Sequence, residues 1–422
     1  MKSRILGTLC MGWVMMMSIS NAAPTFNENN NFASKVAKPS ISTNIVFQDT
    51  LKSPFKELNT VIGQINIGEK NPRFNGSILV GYQGKLIYEK AFGVANRATG
   101  MANTINTPTQ VASITKTFTG SSIVWLQEKG FLNIHDNVQK YLWEFPYDNI
   151  TIEHLLSHRS GLKDYLKFSG RYWNSSKPMY NDEVLEQFRD YKFGLNFTPG
   201  TRFDYSNSNY ALLALIIERI SGMPYKKFMK DYIFEPLEMK NSFVYDPADE
   251  YTIPYARSYR ANFSNWQNTH QDGVYGDKGI YTTAEDLYKW DQALYTNNFL
   301  SSKSKEDAFT PRSPWNVSKN YGLGWRLRTF PNGEKYAYHT GWWHGYQGIF
   351  ARYIKDDFTV IILSNRFING ISDNSELIYE TASAYLPLTD LHGMPGTDIP
   401  NPKAEKKTKP TEIAEGITIA AK

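Results

Sequence analysis

The chain has 422 residues and a formal net charge of +5, and that small excess excludes the basic surface a nucleic-acid partner requires: without Lys2 and Arg4 it is +3, and residues 402–422, with five lysines and three glutamates, hold +2 of that. Its single cysteine, Cys10, lies in an apolar N-terminal run, so disulfides and thiolate metal sites are excluded beyond residue 22.

Lys2 and Arg4 precede an uncharged apolar run from Ile5 to about Ile19, followed by Ser20-Asn21-Ala22-Ala23. This three-part pattern predicts a secretory signal over residues 1–22, cut after Ala22. The run is short for a bilayer span, and Gly7-Thr8-Leu9 before Cys10 matches a lipid-attachment site poorly. The expectation is a secreted or periplasmic protein with no stable membrane insertion after cleavage. Residues 23–50, rich in Asn, Ser and Thr, read as a flexible lead-in. Residues 391–422, with Pro395, Pro400, Pro402, Pro410 and a lysine cluster, read as a disordered tail. Residues 51–390 are long enough for one large domain or two fused lobes.

Inside that stretch Ser77–Tyr82 and Lys85–Phe92 flank Gln83-Gly84 and predict a hairpin. Ile114, Phe118, Ile123, Val124 and Leu126 at helical spacing, ending at Gly130, predict a mostly buried helix over 113–129. Further helices are predicted at Ile152–Ser157, at Asn209–Ser221, and opening at Thr282-Thr283-Ala284-Glu285, which has capping-box spacing. Tyr336–Thr340, Gln347–Ile354 and Phe358–Ser364 form a second strand group, with Lys355-Asp356-Asp357 as a turn, and a helix over Ser375–Tyr385 closes the core. Strands from both ends with helices between them imply an α/β fold of the α+β type. Its antiparallel sheet is built from N- and C-terminal strands and flanked by helices, with an inserted, mainly helical lobe and the active site at the lobe junction.

The chemistry concentrates in three short motifs. Ser113-Ile114-Thr115-Lys116 puts a hydroxyl and an amine one helical turn apart on one face, where the amine can take or relay the hydroxyl proton. Tyr205-Ser206-Asn207 and His339-Thr340-Gly341 follow in order. Spacing alone is a weak signal: Ser53 with Lys56, Ser160 with Lys163 and Ser302 with Lys305 repeat the first pattern, and Tyr147-Asp148-Asn149 and Tyr295-Thr296-Asn297 the second. Context separates them, because the other serines sit beside Pro54, beside Gly161, or in the Ser/Lys run 301–305, which look like loop or surface. His154 and His158 are four apart, but no Glu follows His154 and no third ligand is evident, so structural hydrogen bonding is the reading and no metal or cofactor is expected. Trp342, Trp343 and Tyr346 fit a core or a site wall equally.

The ordered series of motifs resembles the class C β-lactamase and DD-peptidase branch of the penicillin-recognising serine hydrolases, which includes related esterases and D-aminopeptidases. The resemblance runs through most of residues 70–370. It is carried by Ala112-Ser113-Ile114-Thr115-Lys116 with Thr119, Glu153 to His158 followed by Ser160-Gly161-Leu162, and Pro199-Gly200 before Tyr205-Ser206-Asn207. Pro236-Leu237-Glu238-Met239, Gly276-Asp277-Lys278-Gly279-Ile280 before Thr282 to Leu287, Tyr321-Gly322-Leu323-Gly324-Trp325 and His339-Thr340-Gly341 complete it. It implies a β-lactamase/transpeptidase-like fold in which Ser113 is the acylated nucleophile, Lys116 its activator and Tyr205 the proton relay. Asn207 would hold Lys116 and the substrate amide, and the backbone amides of Ser113 and Trp342 would form the oxyanion hole, with His339, Thr340 and Gly341 binding substrate.

Most class C β-lactamases carry lysine where this chain has His339, and that lysine helps to bind the substrate carboxylate, whereas some DD-carboxypeptidases resemble this chain in having His-Thr-Gly. If His339 takes over that task, its titration near 6.5 governs binding of anionic substrates. The implied substrate is a β-lactam or a peptidoglycan-derived D-alanyl peptide. Carboxylesterase or D-aminopeptidase activity, or a silent penicillin-binding, cell-wall-sensing module, are the alternatives, and the sequence leaves oligomeric state open.

Overall fold

A computed structural model describes residues 32–39, 46–47, 74–249, 254–313, 319–367 and 373–389, with residues 60, 62, 251 and 371 between them. The signal segment 1–22 and the tail 391–422 lie outside the described residues.

One sheet organises the molecule. Its strands in chain order are β1 (Val46–Phe47), β2 (Gly76–Tyr82), β3 (Lys85–Phe92), β4 (Lys319–Tyr321), β5 (Arg326–Thr329), β6 (Lys335–Trp343), β7 (Tyr346–Tyr353) and β8 (Phe358–Ser364). Their spatial order is β1-β3-β2-β8-β7-β6-β5-β4, so the N-terminal hairpin pairs with the C-terminal meander through β2 and β8, with Val80 opposite Val360. The pairs are antiparallel except at the edge, where β1 runs parallel to β3. The helices are α1 (Phe32–Lys35), α2 (Thr115–Glu128), α3 (Ile152–Leu156), α4 (Tyr165–Tyr172), α5 (Asn181–Tyr191), α6 (Asn207–Ser221), α7 (Tyr225–Met229), α8 (Ala284–Ala293), α9 (Ser302–Ala308) and α10 (Asp373–Ser383).

The central strands are buried, β8 along its whole length and β2 in all but its last residue, Tyr82, because the sheet is covered on both faces and the two-residue period splits their apolar side chains between two cores. Ile78, Val80, Phe358, Val360 and Ile362 meet Ile378, Tyr379 and Ala382 of α10 on one face. Leu79, Ile361 and Leu363 meet the larger core, which includes Phe118 of α2 and Leu287 and Trp290 of α8, on the other. Every residue of α2 from Thr115 to Leu126 is buried. A helix apolar or small all round is one surrounded by protein, and α2 stands between the sheet and the lobe formed by α3 to α7.

Three local expectations need correction. The helix expected to be capped from Thr282 is capped one residue later, the Thr283 side chain accepting from the Asp286 amide, because Thr282 is the last residue of a short strand paired with Thr109. Ser302 and Lys305, read as loop or surface, are not in a loop: they lie on α9 with Ser301 as its cap, Ser302 exposed as a surface residue. Residues 23–50 are not wholly a lead-in without elements. Phe32 of α1 is buried against the rings of Phe131, Phe228 and Tyr232, with centroids at 4.8, 6.3 and 5.5 Å, which anchors α1 to the core.

Candidate active site

Ser113 lies in a single 3-10 turn, Ala112–Ile114, that runs directly into α2. Ala112 holds the left-handed value φ +48°, a strained conformation for an L-residue. The turn packs against β6 at Gly341, where a Cβ would lie 2.1 Å from the Val111 carbonyl oxygen; only glycine lets the strand come this close. β6 pairs with β5 no further than Tyr338 opposite Arg326, so residues 339–343 extend past β5 beside the serine turn.

Lys116, fully buried, reaches its ammonium to Ser113 Oγ at 3.0 Å, Asn207 Oδ1 at 2.8 Å and the Asp277 carbonyl at 2.7 Å. Asn207 opens α6, and its Nδ2 donates to Asp164 Oδ2 at 2.9 Å. Burial raises the Asp164 carboxyl above its ordinary range. The Tyr205 ring centre is 5.0 Å from Lys116 Nζ, and its buried hydroxyl has no hydrogen-bond partner among the described residues. Four residues named from two motifs therefore meet at one point, with a phenol left free to engage a ligand.

His339 shares the inward face of β6 with Ala337 and Gly341 and is 0% exposed. Its Nδ1 bonds the Thr340 carbonyl at 2.7 Å and its Nε2 the Tyr321 hydroxyl at 3.0 Å. A carbonyl can only accept, so Nδ1 carries the proton and Nε2 accepts. Burial first, then the charges of Arg326 and Lys116, push this imidazole well below its ordinary value. The titration expected near 6.5 is therefore displaced downward, which favours the neutral ring, and both ring nitrogens are engaged within the fold. Thr340 is half-buried, and Trp342 is 65% exposed with its indole N–H on the His344 carbonyl at 3.0 Å. The other two aromatics separate. Tyr346 is core, its hydroxyl on the Ala256 carbonyl, and Trp343 donates to Asp272 at 2.7 Å.

The structure adds one group absent from the sequence reading, Arg326, and gives the structural role expected of His158 its partners. Arg326 sets its guanidinium 5.0 Å from the Tyr205 ring centre and has no acidic partner among the described residues. It directly follows the Tyr321-Gly322-Leu323-Gly324-Trp325 match. His158 is completely buried at φ +56°, its ring 4.2 Å from that of Tyr205. Its Nδ1 receives the Ser206 amide at 3.2 Å and Asn209 Nδ2 at 3.1 Å. It fixes the approach to Tyr205 and, like His339, is held neutral by burial and by Lys116. His154 instead caps its own helix through Thr151. Of the competing serines, Ser160 is buried with its hydroxyl on Asn209 Oδ1 at 2.6 Å.

A sequence model described as Beta-lactamase matches residues 67–382. A penicillin-binding protein of Bacillus subtilis is 35% identical over 363 residues, 82% of this chain and 78% of that protein. A teichoic acid D-alanine hydrolase of Staphylococcus aureus is 30% identical over 233 residues, 52% of this chain and 54% of that protein. Among solved structures, a penicillin binding protein from Bacillus halodurans superposes with TM-score 0.64 at 26% identity, covering 78% of this chain and 97% of that one.

Proposed function

Because the chain belongs to the Beta-lactamase family, we propose that it is an exported serine hydrolase that forms an acyl-enzyme on Ser113 and acts on D-alanyl-type peptides or β-lactams. The observation that carries this is the fixed Lys116 amine, 3.0 Å from Ser113 Oγ and tied on its other sides by Asn207 and the Asp277 carbonyl. Such a group, once deprotonated, accepts the serine proton as Oγ attacks the substrate carbonyl carbon. The oxyanion is taken by the backbone N–H groups of Ser113 and Trp342, which the close packing at Gly341 supports. Collapse breaks the bond to the leaving amine, which receives its proton through Tyr205, and water returning by the same relay frees Ser113 from its ester.

Arg326 supports a substrate that ends in a carboxylate. It lies beside Tyr205 with no acidic partner among the described residues, and on this reading it takes the part first assigned to His339, Thr340 adding a hydroxyl on the neighbouring strand. The related D-alanine hydrolase agrees with a D-alanyl group as the acyl or leaving part. The N-terminal segment supports export, and among the described residues no helix is long and apolar enough to cross a membrane.

The test is intact-protein mass spectrometry after incubation with a fluorescent penicillin, followed by turnover assays with nitrocefin, a D-Ala-D-Ala peptide and a short-chain ester. A single adduct on Ser113 with peptide turnover is expected. An unmodified chain would overturn the acyl-enzyme and leave a sensing module, whereas turnover of the ester alone would move the assignment to an esterase.

A further inference from the structure

The segment Gly276-Asp277-Lys278-Gly279-Ile280 stands out in the sequence and has only one carbonyl in the chemistry above. It runs along the face of α2 that carries Thr115, Lys116 and Thr119. The Ile280 amide donates to Thr115 Oγ1 at 3.3 Å, Lys116 Nζ to the Asp277 carbonyl at 2.7 Å, and Thr119 Oγ1 to the Gly276 carbonyl at 2.7 Å. At Gly276, φ is +89° and a Cβ would lie 2.6 Å from Ala214 Cβ and 2.7 Å from the Tyr210 carbonyl oxygen, so the backbone passes α6 at the closest packing a chain allows.

The side chains of this segment point into protein. Asp277 is 1% and Lys278 3% exposed. Asp277 Oδ2 accepts from the Tyr165 hydroxyl at 2.9 Å and lies 3.6 Å from Lys278 Nζ, while Lys278 donates to the Tyr165 oxygen and, at 3.2 Å, to the Val274 carbonyl. Its ammonium stands 4.8 Å from the Trp343 ring centre. Removing two charges from water costs more than most geometries return, and apolar replacements of a buried pair are often neutral or stabilising. This pair is therefore weak evidence of a device for stability, and its covalent attachment to the carbonyl that receives Lys116 points to another task.

We propose that the Asp277–Lys278 pair, closed by Tyr165, is a positioning device that fixes the 277–278 peptide so that the Asp277 carbonyl holds Lys116 on Ser113. Among the described residues none of the three side chains hydrogen-bonds Ser113 or Lys116; they act on Lys116 through the Asp277 carbonyl. The inference rests on acylation of Ser113. A misplaced activator shows in the acylation rate and kcat, with KM changed far less, because ground-state binding does not depend on where the Lys116 proton goes.

The experiment compares wild type, the charge-neutral double variant Asp277→Asn/Lys278→Met, and Tyr165→Phe in the full chain. It measures the rate of fluorescent penicillin labelling at saturation, kcat and KM with a D-alanyl substrate, and the thermal midpoint. The double variant should stay folded, with a midpoint near wild type, and should lose about 10- to 100-fold in labelling rate and kcat with KM within about threefold. Tyr165→Phe should lose less, in the same pattern. A folded double variant that labels at the wild-type rate overturns the proposal. If the double variant does not fold, wild-type labelling by folded Tyr165→Phe overturns it equally. Failure of wild type to label at Ser113 would instead defeat the acyl-enzyme reading itself, which keeps the two failures distinct.

Discussion

The guanidinium of Arg326 stands 5.0 Å from the centre of the Tyr205 ring, and no acid among the described residues pairs with it. A cation left over an aromatic face at the edge of the Ser113–Lys116 cluster keeps its strongest hydrogen bonds for a ligand. Arg326→Gln should lower kcat/KM for a peptide ending in a free D-alanyl carboxylate by about 10- to 100-fold, the loss expected for a charge-assisted hydrogen bond of about 1.5–3 kcal/mol. The same peptide with an amidated or methylated end should change little. Equal losses on both would show that Arg326 holds Tyr205 rather than the carboxylate.

The nucleophile is tested by subtraction. Ser113→Ala should abolish covalent labelling and hydrolysis while retaining the fold, since the residue is only half-buried. Ser302→Ala, on α9, should behave as wild type. Ser160→Ala removes the hydroxyl that meets Asn209 and should cost about 1 kcal/mol of stability without removing the label. Labelling that survives in the Ser113 variant would assign the chemistry elsewhere.

Much of this arrangement is legible in the sequence because the informative signals are local. The hairpin of β2 and β3 has Gln83 and Gly84, both at positive φ, where the turn residues are read, and β8 coincides with the apolar run Phe358–Ser364. Ser113 and Lys116 in the turn and first residues that open α2, and Tyr205 and Asn207 at the entry to α6, meet because both helices pack into the same core. α4, α5, α7 and α9 were harder to read: α4 and α5 are amphipathic helices with polar outer faces, and α7 runs without a cap into a π-helical turn, Lys230–Phe234. The state of His339 was not legible at all. Its charge depends on Tyr321, Arg326 and Lys116, brought to it by three different elements, and spacing cannot report desolvation.

That buried state gives a pH dependence of stability. His158 and His339 both have folded-state values pushed well below 6.5, while in the unfolded chain they titrate near the ordinary value of about 6.5. Below that pH the unfolded state binds protons that the native state refuses, so stability is complete above it and falls as the solution is acidified. Each histidine contributes a slope approaching about 1.4 kcal/mol per pH unit. His339→Gln should remove about half of the slope of the thermal midpoint against pH between about 6.5 and 5, His158 supplying the rest, and the wild-type kcat/KM for an anionic substrate should show no step near 6.5 from this residue. A midpoint independent of pH over that range in wild type would mean that both rings charge freely in the fold.

Gly341 offers the sharpest geometric test, because its absent Cβ would fall 2.1 Å from the Val111 carbonyl oxygen and 3.3 Å from Ala112 Cβ. In Gly341→Ala either β6 or the Val111-Ala112 turn must move by more than side-chain adjustment allows, since the nearest obstacle is backbone. β6 is held along its other edge by β7, with Gly341 itself opposite Gly348 and Trp342 opposite Gln347, so the turn that carries Ser113 yields first. Moving it shifts Ser113 relative to both Lys116 and the Trp342 amide. A displacement of about 1 Å costs on the order of 100-fold in rate, far more than the about 1–3 kcal/mol loss of stability expected for overpacking would remove through unfolding. The measurement is labelling rate together with the thermal midpoint. A folded Gly341→Ala protein that labels at the wild-type rate would show that the close approach of β6 to the serine turn is not what builds the site.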